Sequence, residues 1–325
     1  MKAIVHDTFG DPTEVLQTRE VDTPEPKEGQ VLLKVGLAPI HNHDLWTIHG
    51  SYGVKPDLPA IAGSEAMGVV EKVGPGVSED LIGQRVNAAG VKGAYAEYTL
   101  ANAATLVPLP EVLSDEAGAQ LVAMPFSAIT LLDFLNVSKG DWIVQTAANG
   151  AVGKILAALA KSRGIKVLNI VRRAGARDEL KELGLENIVV TDDADWVEQA
   201  QKIIGTDGAR AAVDSVGGDI GGDLVTLLGQ DGLLVTFGTA TGAPLTFDTG
   251  AIIFKHIVIK GFWGKRVIEE MAPEHRKDLM VELVTLAAQG KIPLTTDGVF
   301  GLDQGAEAAK ASRSAGRTGK VMIKP

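Results

Sequence analysis

Cysteine is absent from the 325 residues. Disulfides, thiolate catalysis and cysteine-ligated zinc or iron–sulfur centres are thereby excluded, and a reducing compartment fits. Basic charge is in deficit: 31 Lys and Arg stand against 41 Asp and Glu, for a formal net charge of −10. A sequence-independent nucleic-acid binder needs a strong basic face, so that class is set aside. Local basic groups can still hold an anionic cofactor. No apolar run reaches the ~18 residues that span a bilayer. The opening MKAIVHDTFGDP has neither the apolar core of a secretory signal nor an Arg/Ser-rich transit segment. The expectation is a cytoplasmic protein with no membrane or nucleic-acid partner.

What is present is ordinary globular composition, 45% hydrophobic and 22% charged, over a length that suggests about two domains. Up to about Leu113 the chain reads as short strands punctuated by Gly and Pro. VLLKVG (31–36), MGVVEKVG (67–74), QRVNAAG (84–90) and AYAEYTL (94–100) are the clearest, and their spacing suggests a small barrel or sandwich. Residues 114–135 read as one helix, with Ser114 and Asp115 as caps. From Asp141 the pattern alternates. Strands are expected at WIVQTA (142–147), KVLNIV (166–171), NIVVT (187–191), RAAVDSV (210–216), GLLVTFG (232–238) and HIVIKGFW (256–263). Helices fill the gaps near 151–163, 176–184, 194–204 and 218–229. Short apolar strands alternating with helices imply a parallel sheet covered on both faces. Six strands match the two βαβαβ halves of a doubly wound Rossmann sheet. One more helix is expected from Asp278 to Gln289, then extended pieces to the end.

The most informative local sequence is Ala148-Asn149-Gly150-Ala151-Val152-Gly153. It is a G-x-G-x-x-G fingerprint with Ala in the first place, following a strand and opening a helix. Gly150 would let the backbone approach a pyrophosphate, and Gly153 would let the helix pack closely on the sheet. Free N–H groups and the positive helix end favour the anion. A plain glycine-containing turn is the other reading, and the six alternating strands weigh against it.

The second strand ends near the adenine ribose in such folds, where an NAD enzyme places Asp or Glu. Here the chain reads Asn169-Ile170-Val171-Arg172-Arg173-Ala174. Two arginines stand where a carboxylate would be. Guanidinium forks suit the 2′-phosphate of NADPH. One charge-assisted bond contributes about 1.5–3 kcal/mol, or roughly 10- to 150-fold in affinity. A solvated pair of surface arginines is the alternative.

Further segments carry a family resemblance. Gly63-Ser64-Glu65-Ala66-Met67-Gly68, Gly83-Gln84-Arg85-Val86, Val213-Asp214-Ser215-Val216-Gly217-Gly218 and Gly319-Lys320-Val321 resemble the medium-chain dehydrogenase/reductase superfamily over essentially the whole chain. The resemblance implies an α/β fold in which a Rossmann NADPH-binding domain (119–267) is inserted in a GroES-like, β-rich substrate domain (1–118 plus 268–325). The zinc-dependent branch binds its metal at positions held here by His41, Ser64 and Met124. The resemblance therefore implies no metal, and His41 and His43 read as polar lining; a metal held by His41, His43 and Glu65 is the other reading.

The run His43-Asp44-Leu45-Trp46-Thr47-Ile48-His49-Gly50-Ser51-Tyr52-Gly53 and Lys260-Gly261-Phe262-Trp263 are similar to the quinone oxidoreductase and 2-enoyl thioester reductase branch. It departs from the enoyl reductases at His41 and Met124, where they carry Asn. By resemblance Tyr52 is the proton donor and Ser127 lies near the nicotinamide. Phe237, Gly238, Thr239, Ala240, Phe262, Trp263 and Lys320 line the cofactor site beside Asn149, Gly150, Ala151, Val152, Arg172 and Arg173. A turn aromatic that merely packs is the other reading of Tyr52. The implied reaction moves a hydride from NADPH to an activated C=C bond of a small-molecule substrate, in a homodimer. A quinone reductase and a non-catalytic NADPH-binding protein are the alternatives.

Overall fold

The computed structural model describes residues 1–325 and divides into two compact units, Met1–Met124 with Leu294–Pro325, and Pro125–Pro293. The boundaries fall at 124 and 293 rather than at the expected 118 and 267. Polar contacts of the flanking segments accompany both shifts. The Glu65 carboxylate accepts the N–H groups of Val122 and Ala123 at 2.8 and 2.9 Å and ties that stretch to the first unit. The helix Pro273–Ala288 belongs to the second unit, where Glu282 pairs with Arg163 at 2.8 Å.

In the second unit, six strands form one parallel sheet. Its order is Ile188–Val190, Lys166–Val171, Trp142–Gln145, Ala209–Asp214, Leu228–Thr236, Val258–Gly261. This is the doubly wound order expected from the alternating pattern, with the chain reversing direction of build beside Trp142–Gln145. Its central strands are buried on both faces, and Val144, Leu168, Ala212 and Leu234 have no exposed surface. That double burial is why these segments read as continuous apolar runs.

In the first unit, strands that are antiparallel except for the parallel pair Thr296–Gly301 and Lys320–Lys324 build two sheets. The larger runs Thr296–Gly301, Lys320–Lys324, Gln30–Pro39, Glu65–Val73, Arg85–Ala89, Val107–Pro108, with Tyr98–Asn102 also pairing to Gln30–Pro39. Leu33, Val86, Ala66 and Ala94 lie in its core. Glycine is required at Gly68, where a Cβ would stand 2.1 Å from the Lys34 carbonyl oxygen.

Three expectations need correction. The single helix over 114–135 is two, Asp115–Ala119 and Ala123–Phe134. Asn87 bonds the carbonyls of Gly118 and Ala119, and Glu65 takes the next amides, so buried side chains replace the helical ladder there. The C-terminal extended pieces include a helix, Gly305–Ser312, that buries Gly305, Ala308, Ala309 and Ser312. Residues 42–49 are also helical, capped by Gly50 in the left-handed region. No helix is long and apolar enough to cross a membrane.

Candidate active site

The second unit carries a phosphate-sized cradle at the carboxyl end of Trp142–Gln145. The chain leaves the strand through Ala147, whose φ of +51° is left-handed, and enters the helix Ala151–Ser162 at Gly150. Gly150 N–H bonds the Ala147 carbonyl at 2.8 Å, and the first helical bond is Lys154 N–H to the Gly150 carbonyl at 3.0 Å. The N–H groups of Ala151, Val152 and Gly153 therefore have no acceptor in the turn or helix, as at any helix start. Their dipoles add there to favour an anion. Gly153 is required for packing: a Cβ would lie 2.7 Å from the Ala148 carbonyl oxygen. Gly150 is roomier, with the Ala147 oxygen at 3.1 Å. Beneath the turn, the Gln145 amide donates to the Gly153 carbonyl at 2.9 Å and to Asn169 at 2.7 Å.

Arg172 and Arg173 end the neighbouring strand, exposed, with no side-chain partner among the protein's hydrogen bonds and ion pairs. Phe237 and Phe262 stack obliquely at 5.7 Å, and Phe134 meets Phe262 edge-on at 5.4 Å. Ser127 lies beside them, its Oγ 3.7 Å from where a Gly264 Cβ would be. Gly238 is half-buried, and Thr239, Ala240 and Trp263 are exposed. Sequence reading did not single out the support under this rim, Asp214. Fully buried, it accepts Thr146 Oγ1 at 3.0 Å and the N–H groups of Val216 and Gly217 at 3.0 and 2.9 Å. Its own carbonyl receives the N–H groups of Phe237 and Gly238.

The first unit holds a separate polar cluster. Tyr52, half-buried, sits in the turn after the helix Asn42–His49, its ring 5.9 Å from that of His43. His41 is not a lining residue: it has no exposed surface, and its Nε2 shares a hydrogen bond with Glu65 Oε2 at 2.7 Å. Burial holds His41 well below its usual range, with Lys320 adding to the effect. Burial pushes the Glu65 carboxyl up to about 7, against the opposing pull of Ala123, Val122, Asn87 and Lys320. Lys320 is itself buried, and its ammonium donates to the Ile40 carbonyl at 3.3 Å, within this unit.

Asp44, the third residue of the helix, accepts His41 N–H at 3.0 Å and Tyr95 O–H at 2.9 Å on one oxygen and Ser64 O–H at 2.6 Å on the other. Burial and the Asp44 charge hold the Tyr95 phenol well above its usual value, so it stays a donor. Ser64 Oγ also lies 2.7 Å from His43 Nε2. No three His, Asp or Glu side chains converge on one point, and the Glu65 oxygens are occupied, Oε1 by the amides of Asn87, Val122 and Ala123 and Oε2 by His41.

Comparison with known proteins follows the same division. Residues 27–111 match the alcohol dehydrogenase GroES-like domain model and residues 151–281 the zinc-binding dehydrogenase model. A mitochondrial enoyl-[acyl-carrier-protein] reductase of Caenorhabditis elegans is 33% identical over 300 residues, covering 90% of this chain and 86% of that protein. The chain belongs to the medium-chain dehydrogenase/reductase superfamily, in its enoyl and quinone reductase branch. Among solved members of this superfamily, Escherichia coli quinone oxidoreductase in complex with NADPH aligns with a TM-score of 0.88 at 26% identity, covering 100% of both chains. A Bacillus thuringiensis protein assigned as an NADPH:quinone reductase aligns at 0.92 and 28% identity, over 100% of this chain and 98% of that one. The zinc-binding label of the superfamily's nucleotide-domain model sits, in this member, on residues without a cysteine or a converging ligand set.

Proposed function

We propose that the protein is an NADPH-dependent, zinc-independent oxidoreductase that transfers hydride to an activated C=C bond, in an enoyl thioester or an enone. One observation carries this reading. Three free N–H groups open the helix Ala151–Ser162 beside a glycine turn, and two unpaired arginines end the adjacent strand. That pairing suits a diphosphate together with a 2′-phosphate. The residues that would hold the cofactor are Asn149 to Val152, Arg172 and Arg173, with Ser127, Phe237 to Ala240, Phe262 and Trp263 toward its nicotinamide end. Bound NADPH would supply the hydride. Tyr52 would supply the proton as a neutral phenol donating to the substrate. The enoyl reductase relatives support the substrate class. The quinone oxidoreductase neighbours support quinone reduction as the second reading.

A homodimer is part of the proposal. Val258–Gly261 is the last strand of its sheet, all four residues are exposed, and Ile253 and Phe254 protrude from the preceding helix. An edge of this kind invites pairing with a second copy.

The test is calorimetry of the purified protein with NADPH, followed by NADPH oxidation in the presence of crotonyl-CoA and then phenanthrenequinone. Turnover of crotonyl-CoA supports the first reading and turnover of the quinone alone the second. Binding without either turnover makes the protein a non-catalytic NADPH binder. Absence of NADPH binding would refute the cofactor assignment.

A further inference from the structure

We propose that His43 is a positioning residue that returns a proton to Tyr52 after each turnover, held in the required tautomer by Ser64 and Asp44. The proposal rests on the assignment of Tyr52 as proton donor. Asp44 is buried and has all its local bonds in the accepting sense: His41 N–H and Tyr95 O–H on Oδ2, Ser64 O–H on Oδ1. The Ser64 hydroxyl has one hydrogen, and the carboxylate takes it. At 2.7 Å from His43 Nε2, Ser64 Oγ can then only accept. Neutral His43 must therefore carry its proton on Nε2, leaving the lone pair on Nδ1.

Nδ1 has no partner in the protein, and it is not among the buried unpartnered atoms. The side chain is 25% exposed, so this nitrogen is the one open to proton exchange. The ring lies flat against His41, centroids 5.0 Å apart and 15° from parallel, and its other neighbour is the Tyr52 ring at 5.9 Å. The charged and titratable groups around it are Asp44, 3.5 Å from Nε2, with His41 and Tyr52, and Glu65 and Lys320 beyond His41.

The proton count closes. Reduction of the double bond consumes one hydride and one proton. The Tyr52 O–H proton passes to the carbon beside the carbonyl and leaves a phenolate. The imidazolium of His43, whose ring neighbours that of Tyr52 at 5.9 Å, returns its Nδ1 proton to the phenolate through one water, and the neutral imidazole takes the next proton from solvent at Nδ1. Throughout, Nε2–H stays on Ser64. Such an arrangement uses the two nitrogens of one imidazole for different tasks, Nε2 for orientation and Nδ1 for proton exchange.

His43→Ala should lower kcat with crotonyl-CoA about 100-fold while NADPH affinity holds, and added imidazole should restore part of the loss. Ser64→Ala, a milder change, should lower kcat less and release the tautomer. Nitrogen NMR of the wild-type protein reads the tautomer without turnover: a protonated Nε2 and a bare Nδ1 support the chain, and the reverse overturns it. An unchanged kcat in His43→Ala, or a loss that imidazole leaves untouched, also overturns the proposal. Failure of wild-type protein to reduce any enoyl thioester would instead remove the Tyr52 assignment beneath it, while the tautomer result still decides the hydrogen-bond chain.

Discussion

Gly150 and Gly153 lie three residues apart in one turn, and the structure separates their roles. A methyl at Gly153 would stand 2.7 Å from the Ala148 carbonyl oxygen and 2.8 Å from its Cα, both backbone atoms. Backbone cannot swing aside, so Gly153→Ala must lift the helix Ala151–Ser162 off the strand. Overpacking of this kind costs about 1–3 kcal/mol. For a domain of this size each kcal/mol lowers Tm by about 2–4 °C, giving a fall of about 2–12 °C. Gly150 differs, with a φ of −71° and ψ of 162°, open to any residue. A methyl there meets only the Ala147 oxygen at 3.1 Å. The entropic gain of about 0.4–1 kcal/mol from replacing glycine offsets that contact, so stability should stay within about 1 kcal/mol of wild type. The same methyl would stand where a diphosphate approaches the free amides, and the loss of a charge-assisted bond there weakens NADPH about 10- to 150-fold. Thermal denaturation and calorimetry of both variants measure the two effects. Wild-type NADPH affinity in a folded Gly150→Ala protein would refute the phosphate cradle, and an unchanged Tm in Gly153→Ala would refute the packing argument.

Replacing Arg172 and Arg173 together with Ala should weaken NADPH about 10-fold or more and leave NADH within about twofold; equal losses in titrations with both cofactors would contradict the 2′-phosphate role. Tyr52→Phe should cut turnover about 100-fold with cofactor affinity retained, and steady-state kinetics showing full activity would make Tyr52 a packing residue. Stability should also depend on pH through Glu65. Its carboxyl is raised from 4.5 to about 7 in the folded protein, so between those values the folded form binds a proton that the unfolded chain has released. The stabilisation is present below about pH 4.5 and lost as pH rises through 7, a total of about 3 kcal/mol. Urea unfolding at pH 5 and at pH 7.5 should show this fall in wild type and a smaller one in Glu65→Gln; equal pH slopes in the two proteins would contradict it.

The legible parts of the fold were those written in local pattern. KVLNIV became the strand Lys166–Val171 with the same limits, because burial on both faces from Val167 to Val171 leaves an apolar run with Asn169 as its one polar member. The helices Thr249–Lys255 and Gly264–Glu270 gave no such signal, since neither buries a residue and no apolar stripe marks them. Gly305–Ser312 packs through glycine and alanine, which carry little hydrophobic contrast. The first-unit site was least legible. Glu65 meets Asn87, His41 and the 122–123 amides across separations that no local motif encodes. The only hints were an isolated acid and an isolated amide within apolar strands, at Glu65 and Asn87.

Asp214 has an implication for how such a chain can change. One carboxylate and one carbonyl clamp the loops that leave three adjacent strands, those ending at Gln145, Asp214 and Thr236. Residues past that clamp, from Thr239 to Phe247, are mostly solvent-facing. Insertions or substitutions beyond Ala240 therefore meet mostly solvent and leave in place the Asp214 bonds that hold the strand ends next to the turn at Gly150. Length can thus vary in that outer loop while the nucleotide turn keeps its shape.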